Sequence, residues 1–445
     1  MIRDDELPEL QELRSVEAEF PLRTDPSFGD QVVATNNDVQ PVHRWFKFKE
    51  SFSPALLKRI TLQLYPAGVP SEFNILDPYA GVGTTLLAAE RLAAENPNAQ
   101  ISVTGIELNP FIHFAANTKL KWKQVALPDL LQAGENAIQF RDSEGLDLPE
   151  LSSIRTGRCI SQYVSQRLLG IQRAIHQLTD GAARDALLLG VAASIEPLSK
   201  IRKDGRALRI VQKSHPQIRT VLTTKWEEIR SDCELLTKTL GKRDFHPLLI
   251  NGDGRDLEEA GIQDQSIDLV FTSPPYPNNI DYTEVYKLEL WLLGFIRSEK
   301  EFLSLRKTTF RSHPTCSTPS PSSSFTEHLK TGTLERLLGP VLKRAQAQPW
   351  RHRLFEGYFS DMWKTLEECF RCLRNGGYAV FVVGNSLHGG PGSAYLVPTD
   401  LVITGMARSI GFETHETVIA RSLKRRISGN HFLRDSIVIV RKPHA

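Results

Sequence analysis

The chain has 445 residues, of which 40% are hydrophobic and 24% are charged. This composition excludes a wholly disordered chain, and 29 glycines with 26 prolines are too few for a collagen-like repeat. The formal net charge is +2, so the overall charge indicates no particular partner. At about 150 residues per domain, the length predicts roughly two or three domains.

The ends, the apolar runs and the cysteines indicate the compartment. Residues 1–20 carry acids where a secretory signal has a basic and then an apolar region, so we expect a cytoplasmic protein. The apolar runs fall short of the roughly 20 residues of a membrane-spanning helix, so no membrane partner is expected. Five cysteines do not form a disulfide framework. Cys369 and Cys372 lie in a stretch with helical spacing and lack a second ligand pair, so a helix is favoured over a metal or redox site.

The first third of the chain alternates strands and helices. Residues 1–40 are acidic and then polar, and are interpreted as an N-terminal arm. A helix is predicted to begin at Ser53 and Pro54, because serine caps helices and proline suits the first turn. A strand, a glycine turn, a helix, a second strand and a second helix follow, at 74–79, 80–85, 86–95, 101–108 and 111–120. This order is typical of a parallel α/β sheet, and we expect 41–125 to form its first part.

Two segments interrupt the alternation. The first, 126–245, is mainly helical, with candidate helices at 164–178, 182–194 and 220–240. Strands resume in 246–296, at 247–251 and 266–272. The second interruption, 297–355, is basic and contains a Ser- and Pro-rich loop at 312–324. The pattern returns in 356–445, with helices at 361–374 and 398–410, a turn at 375–377, and strands at 378–384, 414–419 and 435–441. We therefore predict one doubly wound α/β domain that is interrupted twice.

The glycine turn, Ala80-Gly-Val-Gly-Thr-Thr85, lies where a strand meets a helix. Glycines there permit a tight turn and a close approach of the backbone to a ligand. Glu107 ends the next strand, where an acid can bind both hydroxyls of a ribose. The turn is neither a phosphate-binding P-loop, since no GK[ST] follows, nor a full G-x-G-x-x-G, since Leu86 takes the third position. A purely structural turn is the alternative interpretation.

The Ser-Pro-Pro-Tyr turn, Ser273–Tyr276, is the most specific feature of the sequence and follows the predicted strand that ends at Thr272. Its two prolines lack amide hydrogens and have fixed φ angles, so the carbonyls of Ser273 and Pro274 are expected to be presented rigidly as acceptors. A planar ligand with an exocyclic amine suits this turn, with Tyr276 stacking on its ring. A rigid strand-end loop with a surface tyrosine is the alternative.

Together these motifs resemble the signature set of S-adenosylmethionine-dependent DNA amino-methyltransferases. The set comprises DPYAGVGTT, GIELNP and TSPPY, and the resemblance covers about 40–125, 246–295 and 356–442. In that family, Ser-Pro-Pro-Tyr is typical of enzymes that act on cytosine N4, and Asp/Asn-Pro-Pro-Tyr of enzymes that act on adenine N6. The resemblance implies a Rossmann-like sheet of seven strands.

The resemblance also implies the site residues. Ser273, Pro274, Pro275 and Tyr276 are expected to hold the target base and its amine. S-adenosyl-L-methionine is the implied cofactor, with Glu107 on its ribose and Asp253 on its adenine. The remaining implied cofactor residues are Trp45, Phe46, Ser53, Asp77, Tyr79, Ala80, Gly81, Gly83, Thr84 and Thr85. No metal is implied.

The implied substrate is double-stranded DNA with the target base flipped out of the stack. Methylation at cytosine carbon 5 is disfavoured, because that chemistry uses a Pro-Cys nucleophile and no cysteine here follows a proline. A separate cognate restriction endonuclease is a possible partner. The alternatives are an adenine-N6 or RNA amino-methyltransferase on the same scaffold and, less favoured, an inactive DNA-binding subunit.

Basic residues concentrate in three places where DNA phosphates could bind. These are 200–243, 297–353 and the cluster Arg421, Lys424, Arg425 and Arg426. Either of the two inserts could read the target sequence. Solvated helix surface is the alternative for both.

Overall fold

The computed structural model describes residues 7, 9–140, 148–149, 151, 154, 158–204, 207–213, 216–241, 244–278, 280–314, 316, 321, 323–390, 393–423 and 432–444. Within these ranges the strands are β1 (Leu22–Thr24), β2 (Glu72–Asp77), β3 (Gln100–Glu107), β4 (Ile201–Asp204), β5 (Ala207–Ile210), β6 (Leu248–Asn251), β7 (Ile267–Thr272), β8 (Leu373–Gly384), β9 (Ser386–His388), β10 (Tyr395–Val397), β11 (Glu413–Ser422) and β12 (Arg434–Arg441).

The helices of the described ranges fall into three groups. Those of the sheet region are α1 (Leu10–Glu17), α2 (Ala55–Leu64), α3 (Thr84–Glu95), α4 (Pro110–Leu120), α14 (Pro349–Cys372) and α15 (Thr399–Ile410). Those of the first insert are α5 (Leu127–Gln139), α6 (Gln162–Leu178), α7 (Gly181–Leu198) and α8 (Ile218–Leu240). Those after the Ser-Pro-Pro-Tyr turn are α9 (Tyr282–Val285), α10 (Lys287–Leu292), α11 (Glu299–Thr308), α12 (Ser323–His328) and α13 (Gly332–Ala345).

The central sheet has the strand order β1-β11-β12-β8-β7-β2-β3-β6 in the described part of the chain. Strands β8, β7, β2, β3 and β6 run parallel, and β12 is antiparallel to both of its neighbours. The predicted mixed α/β fold is therefore confirmed. The sheet has eight strands where seven were expected, because the N-terminal arm contributes β1, which pairs with β11.

Helices cover both faces of this sheet, as its buried strands require. Apolar side chains of α2 and α3 pack on one face, and those of α13, α14 and α15 pack on the other. The first insert forms a third apolar cluster, which includes Trp45 and Phe111 of the sheet region and Trp226 of α8. The insert is thus packed onto the sheet domain through a continuous core.

Two elements differ from the sequence-based expectation. Helix α14 begins at Pro349, twelve residues before the predicted start at 361, and β8 begins directly after it, at Leu373. The expected turn at 375–377 is an irregularity inside β8, where the register against β7 shifts between Ile267 and Leu269. Gly376 accommodates it with a φ of 81°. The predicted helices of the first insert are confirmed as α6, α7 and α8.

Candidate functional site

The candidate residues converge because four parallel strands end at one edge of the sheet. Asp77 ends β2, Glu107 ends β3, Asp253 follows β6 and Ser273 follows β7. Ligands bind at this edge in open α/β sheets, where successive connections turn to opposite sides. Along the edge the order is Ser273, Asp77, Glu107 and Asp253, since the strands lie in the order β7-β2-β3-β6.

A cleft at this edge encloses about 970 Å³ of space between protein atoms, including the part open to solvent. Of the predicted residues, the lining includes Asp77, Tyr79, Ala80, Gly81, Thr84, Glu107, Asp253, Ser273 and Pro275. Its charged lining side chains are Glu50, Asp77, Glu107 and Asp253, together with the ring of His313. No lysine or arginine lines it within the described ranges, so the cleft favours a cationic ligand.

Asp77 is the buried anchor beneath the glycine turn. Its carboxylate accepts hydrogen bonds from the amide of Tyr79 at 3.0 Å, from the hydroxyl of Thr272 at 2.7 Å and from the hydroxyl of Thr85. Burial raises the pKa of Asp77 to about 6. Thr85 therefore supports the turn from below and does not line the cleft.

The glycine turn adopts the left-handed backbone that its sequence predicted. Gly81 and Gly83 have φ angles of 52° and 83°, which residues with a Cβ rarely adopt. A Cβ on Gly81 would lie 3.2 Å from the ring of Phe48, which crosses above it. The turn is thus closed on one side by the segment that precedes α2.

Glu107 lies at the center of the cleft wall. The amide of Asn109 donates to its carboxylate at 2.7 Å, and the amide of Gly81 also donates to it. Burial raises the pKa of Glu107 to about 7. Because these amides bind the carboxylate from the protein side, they fix its orientation at the strand end.

Asp253 is held by an arginine that sequence reasoning did not identify. Both carboxylate oxygens contact Arg255, whose guanidinium also donates to Asp361 of α14 at 2.9 Å. The same Asp361 carboxylate accepts hydrogen bonds from Arg311. This chain of charges, which we call the Asp361 network (Asp253, Arg255, Asp361 and Arg311), ties β6, α14 and the second insert together.

The Ser-Pro-Pro-Tyr turn presents its serine to the cleft. The Ser273 hydroxyl donates to the carbonyl of Val382 at 3.1 Å, so its oxygen can still accept a hydrogen bond from a ligand. Pro275 lines the cleft and Pro274 is buried behind it. The Tyr276 ring lies against Gly384, where a Cβ would come within 3.0 Å of it, and the Tyr276 hydroxyl is 3.5 Å from the Ser273 oxygen.

The cleft has two wall segments whose lining residues were not among the predicted site residues. Residues 48–52 cross the glycine turn, with the Ser51 hydroxyl 2.8 Å from that of Thr84. Residues 309–313 of the second insert form the opposite wall, where the Phe310 and Tyr79 rings meet edge to face with centroids 5.5 Å apart. Aromatic and polar residues directly before a predicted helix were the available signal for the first wall. The second wall lies far along the chain in a basic insert and had no such signal.

Five of the implied cofactor residues do not line the cleft, and Thr85 is one of them. Trp45 is buried and donates from its indole nitrogen to Asp232 of α8 at 3.0 Å. Phe46 packs on Phe111 and Tyr286. Ser53 and Gly83 do not appear in the cleft lining either. These residues support the walls, and the lining itself comes from Phe48, Glu50, Ser51 and Phe52.

Several of the predicted DNA-binding charges are engaged within the protein. Arg421 pairs with Asp435 at 2.6 Å, Arg311 with Asp361 at 2.6 Å, and Lys203 with the buried Glu289. Lys424, Arg425 and Arg426 lie outside the described residues. Some basic residues of these stretches therefore form ion pairs that join elements of the protein.

The described ranges contain no group of three or more His, Cys, Asp and Glu side chains arranged to hold a metal ion. No helix there has both the length and the apolarity to cross a membrane. Cys369 and Cys372 lie on the buried side of α14, as the helix interpretation predicted.

Comparison with known proteins identifies relatives over almost the full chain, although no protein-family model matches it. The type II methyltransferase M.AvaI of Nostoc sp. is 26% identical, covering 92% of this chain and 88% of the relative. The type II methyltransferase M.BsoBI of Geobacillus stearothermophilus is 26% identical over 92% of this chain and 87% of the relative. Among solved structures, an rRNA methyltransferase of Streptomyces viridochromogenes aligns with a TM-score of 0.32 and 11% identity, covering 92% of each chain. Over most of its length, the chain is therefore similar to type II methyltransferases.

Proposed function

We propose that the protein is an S-adenosylmethionine-dependent DNA methyltransferase that modifies the exocyclic N4 amine of cytosine in double-stranded DNA. Its role would be that of the modification enzyme of a restriction-modification system, acting beside a separate endonuclease. The observation that carries the proposal is the common cleft of Glu107, Asp253 and Ser273, which joins a nucleoside-binding edge to an amine-binding turn. The type II methyltransferase relatives support it.

The cleft fits the cofactor in charge, because its charged lining is acidic and the cofactor is cationic. When bound, the cofactor supplies a methyl group on a positively charged sulfonium, which is already activated for transfer. Glu107 would accept both ribose hydroxyls, and Asp253 would accept the adenine amine. The glycine turn would form the floor, with Phe310 and Tyr79 as aromatic walls.

The Ser-Pro-Pro-Tyr turn performs the positioning of the target amine. The oxygen of Ser273 and the carbonyl of Pro274 accept the two amine protons, which turns the nitrogen lone pair out of the ring and toward the methyl group. Since the Ser273 proton is already donated to Val382, the oxygen is oriented as an acceptor. The developing positive charge on the amine is stabilised by the same acceptors. Tyr276 would stack on the flipped base.

The proton released by the amine needs no dedicated strong base. After methyl transfer the nitrogen carries a positive charge and is strongly acidic, so water can take the proton. No lysine or arginine lines the cleft in the described ranges to oppose this charge. Alignment and electrostatics therefore supply the catalysis in this proposal.

The test is to incubate the purified protein with labelled S-adenosylmethionine and either duplex DNA or RNA, digest the nucleic acid to nucleosides and identify the labelled product by mass spectrometry. N4-methyldeoxycytidine is expected. N6-methyldeoxyadenosine would contradict the choice of base. Label found only in an RNA substrate would contradict the substrate class.

A further inference from the structure

Glu50 is a carboxylate of the cleft wall for which the proposed chemistry has no role. It belongs to the segment 48–52, in which Phe48 crosses Gly81 and Ser51 contacts Thr84. Glu50 therefore lines the cleft beside the glycine turn. It is also one of four carboxylates in the lining, and the other three already have structural or nucleoside-binding explanations.

The protein holds this carboxylate in place from behind. The buried phenol of Tyr286 donates to Oε2 of Glu50 at 2.8 Å, and the Tyr286 ring stacks on Phe48 with centroids 5.4 Å apart. Burial raises the pKa of Glu50. Lys203 and Lys49 oppose this rise through their charges, but neither lysine lines the cleft. A cationic ligand in the cleft would therefore stabilise the carboxylate from its open side.

The order of the strands indicates which ligand group reaches Glu50. Glu107 ends β3 and Asp253 follows β6, on one side of β2, and they would bind ribose and adenine in the proposed function. Ser273 follows β7, on the other side of β2. The amino-acid portion of the cofactor must then lie over β2, where the glycine turn and the segment 48–52 meet.

We propose that Glu50 binds the α-ammonium group of the methionine portion of the cofactor. This assignment rests on the proposed function and adds a positioning residue to it. An ammonium offers several N–H donors to a carboxylate, whereas a sulfonium offers none, so the ammonium is the better partner for a hydrogen-bonding oxygen. Tyr286 orients Glu50 for this contact.

The experiment measures the Kd of Glu50→Gln and of the wild type for three ligands by calorimetry. S-adenosylmethionine carries both cations, S-adenosylhomocysteine keeps only the ammonium, and 5′-methylthioadenosine keeps neither. A charge-assisted hydrogen bond corresponds to about a tenfold change in affinity or more. We expect Glu50→Gln to weaken binding of the first two ligands about tenfold and of 5′-methylthioadenosine less than about twofold.

Two further variants separate this contact from general damage. Tyr286→Phe keeps the ring packing and removes the orienting hydroxyl, so it should show the same ligand pattern with a smaller loss. Glu258→Gln makes the same chemical change at an exposed site outside the cleft and should bind all three ligands as the wild type does.

Each remaining outcome overturns the assignment. Unchanged affinities in Glu50→Gln would remove its role, and a loss for S-adenosylmethionine alone would make Glu50 the partner of the sulfonium. An equal loss for all three ligands would indicate a structural effect. Failure of the wild type to bind any of the three would instead contradict the proposed function itself.

Discussion

The carboxylate of Asp361 binds Arg311 twice, accepting from the backbone amide at 2.9 Å and from the guanidinium at 2.6 Å. Asp361 lies on α14 and Arg311 lies in the second insert, so this pair fastens the wall segment 309–313 to the sheet domain. The carboxylate also binds Arg255, which in turn holds Asp253. One buried acid therefore positions two sides of the cleft.

Asp361→Asn should destabilise the protein and weaken cofactor binding. The substitution removes the negative charge that the Arg311 and Arg255 guanidinium groups share, and breaking such a buried pair costs about 3–5 kcal/mol. Urea unfolding should show this loss in the free energy of unfolding. Asp264→Asn is the matched control, since Asp264 pairs with Arg371 at an exposed site and its side chain is 73% exposed. The control should change stability by less than about 1 kcal/mol. Equal midpoints for the two variants would contradict the role of the network.

Ser273→Ala should abolish most turnover and spare cofactor binding. The variant keeps the proline geometry and removes the acceptor beside the amine, so we expect kcat to fall about 100-fold, as for loss of one hydrogen bond that acts in the transition state. Single-turnover methylation and calorimetry measure the two quantities separately. Ser409→Ala, on α15 and remote from the cleft, is the control. Turnover of Ser273→Ala near that of the control would contradict the proposed mechanism.

The affinity for nucleoside ligands should increase as the pH rises through 7. Burial raises the pKa of Glu107 to about 7, and only its ionised form can accept both ribose hydroxyls. Below this pKa the ionised fraction falls about tenfold per pH unit, so binding should be weaker at pH 6 than at pH 8. 5′-Methylthioadenosine is the suitable probe, because it lacks the amino-acid group assigned to Glu50. Glu107→Gln should bind weakly at both pH values. A pH dependence that persists in this variant would assign the titration to another group.

Gly384→Ala should lower turnover through Tyr276. A Cβ at this position would lie 3.0 Å from the Tyr276 ring and 2.7 Å from Oδ1 of Asp435, so the carboxylate must shift and the ring must give by a few tenths of an ångström. We expect kcat to fall severalfold, because misplacement of a catalytic group by about 1 Å can cost about 100-fold and this shift is smaller. Cofactor affinity should stay unchanged, since Tyr276 does not appear in the cleft lining. Gly390→Ala adds the same methyl group in open space and serves as the control. Wild-type turnover in Gly384→Ala would argue against a role for the tyrosine.

The sequence predicted the parts of the site that depend on local geometry. Asp77 and Glu107 end strands, and Gly81 and Ser273 come shortly after strands. A strand end fixes these residues at the sheet edge. Trp45 and Phe46 were expected beside the cofactor, but they lie behind the wall. There Trp45 donates to Asp232 of the first insert, and Phe46 packs on Phe111 of α4.

The second wall could not be predicted for a physical reason. Phe310 lines the cleft beside Arg311, which is held by Asp361, fifty residues later in the chain. No local sequence pattern predicts a contact between residues so far apart in the chain. The edge strand β1 was missed for a similar reason, since three residues, Leu22–Thr24, form a strand only beside β11.

The pairing of β1 with β11 has a consequence for how the chain reaches its native state. Leu22 pairs with Thr417, so the two strands meet across almost the whole length of the polypeptide. During synthesis β1 leaves the ribosome long before β11 has been made. It therefore stays unpaired until nearly all of the chain has emerged. Contacts between such distant segments slow folding, and the exposed strand is vulnerable to mispairing meanwhile. Completion of this edge is therefore expected among the last events of folding, and premature termination before β11 would leave the N-terminal strand without its partner.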